Sequence, residues 1–95
     1  MIYSDEGIVQ GSRFHRKNAD LVLVDTQVVA QSPPRLLVAG MGDALATWFE
    51  AKTCVDGGVK NLRGGLSTQS ALALAKLCYR TLLADGADAL RSVQT

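Results

Sequence analysis

The sequence predicts an α+β chain, mostly α: two or three short strands at the N-terminus, then a helical segment. Three observations point there. Ahead of Pro33-Pro34 the apolar runs are short and broken by turn-forming clusters, Ser4-Asp5-Glu6-Gly7 and Arg16-Lys17-Asn18-Ala19-Asp20. The run Leu21-Val22-Leu23-Val24 stands between Asp20 and Asp25 as four branched apolar residues, the pattern of a buried strand. From Arg35 onward nearly every stretch has helical spacing and composition.

Met1 to Tyr3 is a short apolar start, and Ile8 to Phe14 a second strand candidate. Leu21 to Val24 is the third. Asp25-Thr26 has the composition of a helix start, with Gln27 to Ala30 a short helical turn. Pro34 suits the first turn of a helix through Leu36, Leu37 and Val38, because that turn needs no N–H from it. Gly40 and Gly42 are expected to interrupt this helix. It resumes over Ala44 to Thr53, with Leu45, Trp48, Phe49 and Lys52 on one face and Asp43, Thr47 and Glu50 on another. Trp48 and Phe49 read as core, and Glu50 as a partly buried structural carboxylate. Gly57-Gly58 and Gly64-Gly65 bracket a loop. Ser67 or Thr68 caps a helix that continues to Ala84, where Asp85-Gly86 is expected to stop it. Ala87 to Val93 then forms a last short helix.

Bulk properties narrow the function classes. The chain has 95 residues, room for one small domain, and is 47% hydrophobic and 20% charged, a globular profile. Net charge is +1, which gives nucleic acid no electrostatic foothold. The basic stretch Arg13, His15, Arg16, Lys17 reads as a solvated turn. Cys54 and Cys78 match no metal or redox spacing and read as reduced, buried thiols. The N-terminus lacks the charged and apolar regions of a signal peptide, and no run is long enough to span a bilayer. The expected location is cytoplasmic, with no membrane partner. The helix after Ser67 is apolar over more than a ~100° stripe, through Leu72, Leu74, Ala75, Leu77, Leu82 and Leu83. Such a helix needs partners on several sides. The chain is expected to be a piece of something larger, or a homo-oligomer.

Asp43, in the stretch AGMGDALATWFEA, is the residue of most chemical interest. It has three readings. As a helix cap it would accept backbone N–H bonds near a helix N-terminus. As part of a dinucleotide loop it would follow Gly40-x-Gly42, but the third glycine position is Leu45 and the carboxylate would repel a pyrophosphate. As a metal ligand it would need partners, since a catalytic zinc takes about three protein ligands. His15, the single histidine, lies in a polar turn with no evident path to it.

The wording of three segments adds to this. AGMGDALATWFEA, with DTQVVAQSPPRLL before it and STQSALALAKLCYRTLL after it, resembles the glycerol dehydrogenases of the metal-dependent polyol dehydrogenase family. YSDEG followed by LVLVDT and GDALATWFEA is characteristic of them. The resemblance covers essentially the whole chain. It implies a two-domain enzyme with an α/β domain that binds NAD and an all-helical metal-binding domain, the active site lying between. On that pattern residues 1–25 resemble the end of the cofactor-domain sheet, and residues 26–95 the first helices of the metal domain. The chain looks like the middle of such an enzyme. Asp43 matches a ligand of the catalytic metal, usually zinc, and Tyr3 a tyrosine that lines the cofactor site. The other implied ligands are two histidines beyond residue 95, and the pyrophosphate loop would precede residue 1. The resemblance implies NAD-dependent oxidation of glycerol to dihydroxyacetone. Carrying one metal ligand and one cofactor wall, the chain alone is expected to be inactive and to bind neither NAD nor zinc tightly. The alternative is a non-catalytic, self-associating helical module.

Overall fold

Local backbone chemistry decides where each element of this chain begins. A computed structural model describes residues 1–94; Thr95, the end of the second expected segment, lies outside the described residues. The order is β1 (Ile2–Tyr3), β2 (Val9–Gly11), α1 (Thr26–Ala30), α2 (Pro34–Asp56) and α3 (Gln69–Gln94). The fold is therefore the expected mostly helical α+β arrangement.

β1 and β2 pair antiparallel, Ile2 opposite Gly11 and Tyr3 opposite Val9, with a register irregularity between the two pairs. The Ser4–Ile8 connection closes on itself. Gly7 donates its N–H to the Ser4 carbonyl at 2.9 Å, and Ser4 donates to the Ile8 carbonyl at 2.8 Å. Gly7 has φ +79°, a left-handed conformation that glycine adopts without a Cβ penalty.

The strand expected at Leu21–Val24 does not form. These residues have no regular secondary structure and are 64–87% exposed. A strand needs a ladder to satisfy its N–H and C=O groups, and the ladder of the two-stranded sheet pairs β1 with β2 alone. High strand propensity without a neighbour leaves the run extended and bare.

The helix starts follow the sequence. The Asp25 carboxylate caps α1, accepting from the N–H groups of Gln27 at 2.9 Å and Val28 at 3.3 Å. Pro34 opens α2. Thr68 caps α3, its Oγ1 accepting from the Ala71 N–H at 3.1 Å. The helix interiors do not follow it. α2 runs through Gly40 and Gly42 without a break, and α3 through Asp85-Gly86 to Gln94. Glycine costs a helix interior about 1 kcal/mol against alanine. Packing of two long helices against each other outweighs that. At Gly86 an added Cβ would lie 3.8 Å from Met41 Sδ, so this glycine sits where α3 meets α2. α2 ends in a glycine-dependent wrap: Gly58, at φ +60°, donates to the Val55 carbonyl, and Val59 donates to that of Cys54.

α2 and α3 pack as an antiparallel hairpin. Ala75 is the one buried side chain among the described residues, 6% exposed. Leu37, Met41, Leu45 and Trp48 on α2 and Leu72, Tyr79 and Leu82 on α3 are half-buried. Tyr79 packs between aromatic rings, 6.1 Å from Trp48 and 5.7 Å edge-on from Phe49. Phe49 is nonetheless 54% exposed, so it borders the interface rather than joining a core. Cys54 and Cys78 are free thiols, half-buried rather than fully buried.

The chain exposes far more surface than a folded monomer of its size. It presents 8140 Å², where the scaling for a 10.1 kDa monomer gives roughly 5,300 Å². Its radius of gyration is 15.9 Å, against about 12.4 Å for a compact domain of this length. Leu74, Leu77 and Leu83 on α3 are all more than half exposed. An apolar groove of about 320 Å³ opens between the helices, walled by Val38, Met41, Leu45, Leu83 and Leu90. The apolar excess expected of α3 is borne out. Among the described residues no helix is long and apolar enough to cross a membrane.

Candidate functional site

Asp43 lies well inside α2, and this disposes of two of its three readings. It is not a helix cap, because the helix begins at Pro34 and the backbone N–H groups around Asp43 are already inside the helical ladder. It does not belong to a nucleotide loop either, since Gly40 and Gly42 are helical. A helix interior has no free N–H groups to offer a pyrophosphate.

The side chain of Asp43 is exposed. Among the described residues its carboxylate has no hydrogen-bond or ion-pair partner. Thr47, one turn further on, donates its hydroxyl to the Asp43 backbone carbonyl at 3.4 Å and leaves the carboxylate oxygens untouched. Gly40 lies one turn before, and a Cβ there would meet nothing within 4 Å. Asp43, Gly40 and Thr47 share a face by the three- and four-residue spacing of a helix. The result is a bare carboxylate beside an open notch in the helix surface. A carboxylate so placed could ligate a divalent cation, zinc among them.

Among the described residues no three of His, Cys, Asp and Glu come together. His15 is exposed in its turn, and its backbone carbonyl accepts a hydrogen bond from Arg63. Glu50, expected to be partly buried, is exposed. It borders a shallow cleft of about 350 Å³ with Thr47, Cys54, Asn61 and Ser67. Tyr3 sits on β1, 58% exposed, with its hydroxyl 3.8 Å from Met1 Sδ. Tyr3 and Asp43 thus stand on separate parts of the chain, one on the strand hairpin and the other on the helical hairpin. Sequence reading singled out neither the cleft nor Arg63. The glycines of Asn61-Leu62-Arg63-Gly64-Gly65 were the available signal for a tight turn there.

The comparisons with known proteins bear on the whole chain. A glycerol dehydrogenase of Citrobacter freundii is 51% identical over 94 residues, 99% of this chain. One from Thermotoga maritima is 52% identical over the same length. The chain is homologous to the glycerol dehydrogenases. A glycolaldehyde reductase of Halobacterium salinarum is also similar, 45% identical over 94 residues. The chain spans about a quarter, 26%, of each of these relatives. No family model matches it. The resemblance thus extends over 99% of this chain, with about half of the aligned residues identical.

Proposed function

We propose that this chain is the part of a glycerol dehydrogenase that carries one ligand of a divalent metal, Asp43, and one wall of the NAD site, Tyr3. Residues 1–25 are then the end of the cofactor-domain sheet, and residues 26–95 the first helices of the metal-binding domain. The observation that supports this best is the state of Asp43 within a segment half identical to named glycerol dehydrogenases. A helix interior disfavours aspartate, and this one has no structural partner to repay it.

In the complete enzyme Asp43 would hold the metal, most simply zinc, together with ligands from elsewhere in the sequence. When bound, the metal supplies Lewis acidity toward the hydroxyls of glycerol, and NAD supplies the hydride acceptor that yields dihydroxyacetone. Asp43 contributes negative charge and a fixed position on a rigid helix. Gly40 keeps the helix surface beside it free of side-chain bulk. Tyr3 offers an apolar ring face on the cofactor side. The free thiols Cys54 and Cys78 fit a reducing, cytoplasmic setting.

On its own the chain oxidises no glycerol and binds neither NAD nor zinc tightly, because one carboxylate cannot complete a zinc site. The test has two parts. The purified chain, supplied with zinc, NAD and glycerol, should form no NADH; steady NADH production would sink this part of the reading. In a full-length relative, changing the aspartate aligned with Asp43 to asparagine should strip bound zinc. Activity should fall by more than the roughly 10–100-fold that loss of an outer-shell partner costs. Full zinc content in that variant would remove Asp43 from the ligand set.

A second reading, a non-catalytic module that associates with itself into a homo-oligomer, is favoured by the exposed Leu74, Leu77 and Leu83. It describes the present behaviour of the chain rather than its descent, and the two are compatible.

A further inference from the structure

We infer that Arg63 ties the N-terminal segment to the helical hairpin, and that the turn Asn61–Gly65 is the mount that holds it in place. The turn is closed by its own hydrogen bonds. Asn61 Oδ1 accepts the N–H groups of both Arg63 and Gly65, each at 3.0 Å. The Asn61 N–H donates to the Gly65 carbonyl, and the Gly64 N–H to the Asn61 carbonyl, both at 2.8 Å. Gly64 has φ +82°, which a residue with a Cβ resists.

Arg63 stands at the tip of this turn and reaches back 48 positions. Its Nη2 donates to the His15 carbonyl at 2.8 Å. Its guanidinium carbon lies 5.0 Å from the centroid of the Phe14 ring. One planar cation therefore lies over a ring and donates to the adjacent carbonyl. Lysine, a point charge without a planar fork, cannot make both contacts at once.

The tie matters because of what lies on either side of it. Between β2 and α1, residues 12–25 form no helix or strand, so no backbone ladder fixes them. The strand hairpin ahead of this segment bears Tyr3, and α2 behind it bears Asp43. Arg63 restricts how far the two parts move relative to each other. If Tyr3 and Asp43 are site residues, as proposed above, the tie sets their spacing. The tie itself does not depend on that reading.

Backbone ¹⁵N relaxation of the 95-residue chain, with neither zinc nor NAD added, tests it. In the unaltered chain, residues 12–17 should have order parameters near the rigid value of ~0.85. In Arg63→Ala they should fall below ~0.6, the flexible range, while α2 and α3 stay unchanged. Gly64→Ala, which keeps the arginine but strains its mount, should loosen the same residues. Arg63→Lys should fall between, since it retains a charge over Phe14 but loses the fork. The inference is overturned if residues 12–17 are already flexible in the unaltered chain. Equal order in Arg63→Ala overturns it too, as does loosening that extends equally through α2 and α3. A failed zinc or NADH experiment leaves each of these results untouched, so the two proposals fail separately.

Discussion

At the scale of single residues, Asp43 and Gly40 are residue choices that the local structure does not explain. Aspartate and glycine both weaken a helix interior, aspartate because its side chain competes for backbone groups and glycine through backbone entropy. Neither gains a compensating contact within the described residues. Asp43→Ala should therefore stabilise the isolated chain, by about 0.5 kcal/mol on helix propensity. Gly40→Ala should add roughly 0.5–1 kcal/mol. Urea unfolding followed by circular dichroism measures both. A loss of stability on Asp43→Ala would mean that the carboxylate supports the fold after all. The role proposed for Asp43 comes from the wording around it, not from spacing. Among the described residues no group of three His, Cys, Asp or Glu forms around it, and a residue pattern cannot reveal partners that lie outside it.

At the scale of elements, caps and turns govern the ends, and packing governs the interiors. Thr68→Ala removes the hydroxyl that accepts the Ala71 N–H and should cost about 1 kcal/mol. Ala75, on α3, is the one buried side chain among the described residues. Ala75→Leu should cost about 1–3 kcal/mol by forcing the helices apart, and the Trp48 fluorescence should change with it. If the larger side chain is accepted without loss, the hairpin is looser than the aromatic contacts of Tyr79 imply. The starts at Asp25, Pro34 and Thr68 were readable because a cap depends on only three or four consecutive residues. The stops expected at Gly40, Gly42 and Gly86 were misread because glycine is a terminator only when nothing holds the helix beyond it. Here each helix continues against its neighbour, and the cost of one glycine is small beside that.

At the scale of the whole molecule, surface area is the controlling quantity. The chain exposes 8140 Å², roughly 2,900 Å² more than a compact monomer of its mass. A standard interface buries about 800 Å² per partner, so the excess exceeds what one ordinary contact would cover. The bare Leu21–Val24 run and the groove between α2 and α3 contribute apolar surface to it. The purified chain should bind ANS strongly in its native state, and its sedimentation coefficient should rise with concentration. Absence of ANS fluorescence together with a concentration-independent monomer would show these faces to be covered in a way the helical hairpin does not display.

The amino-acid order by itself determined the class of fold, the places where helices begin and the lineage to which the chain is homologous. Each of these depends on neighbours in sequence: a cap on the next three residues, a family resemblance on runs of wording. Only the tertiary arrangement decided that α2 and α3 pass through their glycines, that Leu21–Val24 stays unpaired and that Arg63 reaches Phe14 and His15. Those outcomes depend on which surfaces meet. A strand without a partner cannot satisfy its backbone, whereas a helix satisfies its own and needs only one packed face to persist.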